Sequence, residues 1–145
     1  MNRKEFEKLV AEGYEQLPGW VREKIKNVAL LIEDEPSNEI RKRESLEKDE
    51  TLLGYYHGIP LSARGEMYGV GITMPDTITL YQDPIEERAE EALATSDEVH
   101  NDLRNRYFEI VRKIVVETVW HEFAHHFGMD EEEVRMREVK RNKER

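Results

Sequence analysis

The chain has 145 residues, 22 of them basic and 32 acidic, for a formal net charge of −10. That is the length of one ordinary domain, and its acidic balance excludes phosphate backbones and anionic membrane surfaces as expected partners. It has no cysteine, which excludes a disulfide framework and leaves any metal site to His, Asp and Glu.

Phe6, Leu9, Val10, Gly13, Tyr14 and Leu17 recur at helical spacing and predict an amphipathic helix over residues 3–17. Pro18-Gly19 ends it, and Trp20, Val21 and Ile25 predict a short second helical turn. Val28 to Ile32 is a continuous apolar run that reads as a buried strand. Residues 36–50 are almost wholly polar and read as a mobile loop or a solvated helix. A second strand is expected over residues 52–57. The third covers residues 76–82, with Thr77, Thr79 and Tyr81 on one face and Ile78 and Leu80 on the other. It is either an open edge that could hold an extended peptide by strand addition or, equally, an ordinary paired strand.

Residues 84–94 favour a helix, with Pro84 in its first turn. Thr95 and Glu98 are spaced as a capping box, which predicts a long helix over residues 97–127. Leu103, Tyr107, Ile110, Val111, Ile114, Val115 and Thr118 form its apolar stripe. Gly128 ends it, and Asp130 to Glu133 open a last helix that runs into a basic, frayed tail at residues 136–145. No repeat is visible, so residues 1–145 read as one domain, with a monomer as the default state. The charged N-terminal sequence has no apolar signal region, and the longest apolar stretch is too short to span a bilayer. The expected location is cytoplasmic.

Residues 121–125 read His-Glu-Phe-Ala-His. Histidines at i and i+4 lie one above the other on a helix, so both imidazoles can reach one ion. Neutral imidazole suits zinc. Zinc can lower the pKa of a bound water to about 7, and Glu122 can then take its proton as general base while the water attacks a peptide carbonyl. The stripe above the motif is apolar, so the pair is expected on the core-facing side. A catalytic zinc usually has three protein ligands. Counted from His121 as position one, Glu131 is position eleven, where long motifs of this type place their third ligand. Glu131 is therefore favoured over Asp130, and helix capping is the alternative use of both.

The sequence resembles the minimal zincins, small bacterial zincin-like metallopeptidases once grouped as a domain of unknown function. The resemblance lies in Val10 to Ser37, Leu52 to Gly65, Met74 to Ile85 and Val119 to Val134, about half the chain and in order. VWHEFAHHFGMDEEEV is its most specific block. Family members often carry Asp at position eleven; this chain has Glu131 there and Asp130 one place earlier. The resemblance implies an α+β fold, a small mixed sheet packed on helices, with the motif helix below the sheet. It does not supply a substrate; peptidase activity on a peptide or protein is inferred from the His-Glu-Phe-Ala-His motif.

Other polar groups have blander uses. His126 points about 100° away from His125 and reads as a packing or supporting residue. His57 reads as a surface strand residue and His100 as solvent-facing. Tyr55, Tyr68 and Tyr81 are candidate oxyanion donors, with sheet packing the commoner role. Three functions follow from the whole: a zinc-dependent peptidase, a catalytically weak zinc-binding module acting through protein–protein contacts, or an acidic interaction protein with a metal-free histidine pair.

Overall fold

The first helix forms where the sequence supplies both a start signal and an apolar stripe. Asn2 accepts the Glu5 N–H at 2.8 Å, and α1 (Arg3–Gln16) then buries Phe6, Leu9, Val10 and Gly13. After Pro18 the short α2 (Gly19–Lys24) buries Val21. The computed structural model describes residues 1–58, 75–95 and 102–127. Beyond α2 come β1 (Val28–Glu33), α3 (Asn38–Arg43), β2 (Gly54–His57), β3 (Asp76–Tyr81), α4 (Gln82–Ala94) and α5 (Leu103–His126).

The sheet has the order β1-β3-β2. β1 pairs parallel to β3, from Val28 opposite Asp76 to Glu33 opposite Tyr81. β2 pairs antiparallel to β3, from Gly54 opposite Leu80 to His57 opposite Thr77. The expected mixed sheet is present. β3 is central and paired on both sides, so it is not an open edge for a peptide; among the described residues the outer strands are β1 and β2. β1 is only half-buried, and Leu31 is 44% exposed. Its apolar run reads as a buried strand because periodicity alone does not distinguish an edge from a centre.

Residues 36–50 begin as the solvated helix α3, capped by Ser37 Oγ on the Ile40 N–H at 3.2 Å. The turn that follows is folded back on one side chain. The Arg41 guanidinium donates to the carbonyls of Glu47 at 2.7 Å and Glu50 at 2.9 Å. These bonds connect α3 to the far end of the segment.

The long helix is shorter at its start than the capping-box reading predicts. Asp102 is its cap, accepting the Asn105 N–H at 3.1 Å, whereas Thr95 closes α4 by donating its hydroxyl to the Glu91 carbonyl. Leu103 lies in the first turn and is 61% exposed, so the buried stripe begins one to two turns later, at Ile110. From Ile110 to Ala124 most residues of α5 are buried, because α1, α4 and the sheet all pack on it. Arg112 ties it to α1 through Glu12 at 2.6 Å. Among the described residues no helix is long and apolar enough to cross a membrane.

Gly54 lets β2 come down on α5. A Cβ there would stand 2.6 Å from Thr118 Cγ2 and 3.2 Å from the Thr79 carbonyl oxygen. Thr118 cannot turn aside without breaking its 2.7 Å bond to the Ile114 carbonyl. Gly54→Ala is therefore expected to cost about 1–3 kcal/mol by overpacking. Urea unfolding measures this; an unchanged midpoint would show that the two elements are not in contact there.

Candidate active site

The last two turns of α5 carry His121, Glu122, His125 and His126. The motif is helical as predicted, and the helix divides its side chains between two directions. His121 and His125 share one stripe, and Glu122 and His126 the next, one step around the helix. The first stripe faces solvent. The second faces β2.

The His121 and His125 rings lie 6.3 Å apart, centroid to centroid, with an interplanar angle of 22°. The two rings stand on one side of the helix, one turn apart. Both residues are exposed, which corrects the expectation that the pair faces the core. Ile114 and Thr118, on nearly the same side, are buried one and two turns earlier. The stripe thus runs from the interior to the surface, and its last two positions carry groups that prefer an ion or water to an apolar neighbour. Among the described residues no cluster of three or more His, Cys, Asp or Glu could hold a metal. The expected third ligand Glu131, and its alternative Asp130, lie outside the described residues, as do His100 and Tyr68.

Glu122 sits at the seam between α5 and β2, half-buried. Its Oε2 accepts the backbone N–H of Tyr56 at 3.1 Å. Burial raises its carboxyl above the usual carboxylate range, and the Tyr56 N–H and nearby His125 oppose that rise while Glu44 adds to it. The net effect is a carboxyl raised above its ordinary value, the direction that suits a general base.

His126 does not join the histidine pair. It stacks on Tyr56 at 3.7 Å and 12°, in agreement with a packing or supporting role. The Tyr56 hydroxyl donates to Asp76 Oδ2 at 2.8 Å, and His126 Nε2 lies 3.7 Å from the same oxygen. Neither Tyr56 nor Asp76 is singled out by the sequence reading. In a Tyr-Tyr pair on a strand the period of two sends the neighbours to opposite faces, and nothing in the pair itself says which meets the helix. The usable signal is Gly54, two residues earlier on the same face, which marks where the helix comes close.

The other candidates have ordinary roles. Tyr81 is 1% exposed, and burial pushes its phenol up to about 12. It is a core residue and not an accessible oxyanion donor. Tyr55 lies on the face of β2 away from α5, where it meets the exposed Arg43. His57 is exposed at the end of the strand, as expected.

A family model described as zincin-like metallopeptidase matches residues 25–141, from before β1 to beyond the motif helix. No curated protein matches the chain.

Proposed function

The chain belongs to the zincin-like metallopeptidase family, and on that premise we propose that it is a zinc-dependent peptidase in which Glu122 is the general base. The observation that carries the reading is the division of labour on α5: two parallel imidazoles turned to solvent, and one partly desolvated carboxylate fixed beside them. The donor set fits zinc, since neutral imidazole nitrogen is among its preferred ligands and no thiol competes in a cysteine-free chain. His121 and His125 would hold the ion, and the spacing of the motif favours Glu131 over Asp130 to complete the set. When bound, zinc supplies Lewis acidity that polarises a carbonyl and makes water more acidic.

The remaining work falls to the chain's own groups. Glu122 has one oxygen committed to the strand, Oε2 on the Tyr56 N–H. The other, Oε1, takes the proton from the attacking water and returns it to the departing amide nitrogen. Burial favours this exchange, because it brings the carboxyl nearer in proton affinity to the groups it serves. The imidazoles of His121 and His125 act as neutral donors. The substrate is a peptide or protein; the net charge of −10 disfavours nucleic acid and an anionic lipid surface.

The test is cleavage of a broad peptide library by zinc-loaded protein, with and without chelator. Cleavage that stops on chelation and returns with zinc is the expected outcome. A zinc-loaded protein that cuts nothing in the library would instead support a binding module on the same fold.

A further inference from the structure

Tyr56 is gripped at both ends by the helix that carries the motif. Its backbone N–H donates to Glu122 Oε2 at 3.1 Å, and its ring stacks on His126 at 3.7 Å and 12°. Glu122 and His126 are four residues apart and lie one above the other on the stripe that faces β2. The phenol is held in turn by β3, donating to Asp76 Oδ2 at 2.8 Å, an oxygen 3.7 Å from His126 Nε2. Close approach is built in on both sides of Tyr56. A Cβ at Gly54 would stand 2.6 Å from Thr118 Cγ2, and one at Gly58 would stand 3.2 Å from His126 Cε1.

We infer that Tyr56 is the positioning residue for Glu122, and that His126 and Asp76 form the clamp that keeps it there. This rests on the reading of Glu122 as general base. In an antiparallel ladder alternate N–H groups point away from the partner strand, and the Tyr56 N–H is one that points outward, to the helix. Glutamate has three rotatable side-chain bonds, and without a fixed donor its carboxylate would sample many orientations. A charge-assisted N–H···O bond selects one of them, provided that the strand itself is immobile. The ring stack and the phenol–carboxylate bond supply that immobility from the same residue. Neither His126 nor Asp76 needs to touch substrate for this role.

Hydrogen exchange of the residue-56 amide, followed by NMR in metal-free and zinc-loaded protein, tests the clamp apart from catalysis. Glu122→Ala is expected to speed exchange at that amide roughly tenfold or more, the loss of a bond to a charged acceptor. His126→Ala is expected to speed it roughly threefold, and His126→Phe, which keeps an aromatic ring on Tyr56, to restore it. Tyr56→Phe keeps the stack, removes the bond to Asp76, and should fall between wild type and His126→Ala. In hydrolysis assays, His126→Ala should lower kcat with KM unchanged, and His126→Phe should recover it. A residue-56 amide indifferent to Glu122→Ala overturns the inference, and so does one indifferent to both His126→Ala and Tyr56→Phe. If the exchange pattern holds while wild type cleaves no peptide, the clamp stands and the peptidase reading alone falls.

Discussion

Glu122→Gln is expected to lower peptide hydrolysis by at least about 100-fold while the protein keeps its metal. The substitution is nearly isosteric, and the Gln carbonyl can still accept the Tyr56 N–H, which the carboxylate accepts at 3.1 Å. Helix and strand therefore stay docked, and His121 and His125 keep their places on the next stripe. What disappears is the ability to take up a proton at neutral pH. Rate and metal content measured on the same preparation separate this from unfolding. Activity within a few-fold of wild type would remove Glu122 from the mechanism.

Trp120→Ala is expected to cost about 3–5 kcal/mol of stability. Trp120 is 1% exposed and stands edge-on to Trp20 at 5.5 Å, with Phe123 at 5.8 Å. It sits beside His121 in sequence but on the opposite side of the logic, anchoring the motif turn to α2 while the histidine faces out. A domain of this size has about 5–15 kcal/mol in total, so the loss is a large share of it. Urea unfolding followed by circular dichroism gives the value directly. A loss under about 1 kcal/mol would mean that the aromatic cluster does not hold the end of α5 in solution.

Much of the fold was legible because its signals are local. The stripe of α1, the breaker at Pro18-Gly19 and the Pro84 start of α4 each depend on a few neighbouring residues, and each lies where expected. Strand order is a different kind of fact. It depends on which apolar run finds which partner, so the β-branched segment at residues 76–81 reads equally as an open edge or a paired strand, and the pairing on both sides decides for the second. The start of α5 was misplaced because two acceptable caps compete, and Asp102 takes the helix while Thr95 closes the one before.

The site shows the same split. The positions of His121, Glu122 and His125 on one helix follow from spacing alone, and the structure places them so. Their exposure does not follow from spacing. An apolar stripe extrapolated from Ile114 and Thr118 predicts burial, and nothing in the spacing marks where that side of the helix leaves the interior. The contact of Glu122 with Tyr56 joins residues 66 apart in the chain, and no local pattern encodes it.

Metal content of the untagged protein tests the central claim most directly. After dialysis against zinc and removal of the excess, elemental analysis should find about one zinc per chain, and none in the His121→Ala/His125→Ala double variant. A wild-type chain that retains no zinc, or a double variant that retains as much, would contradict a metal centre on the last turns of α5.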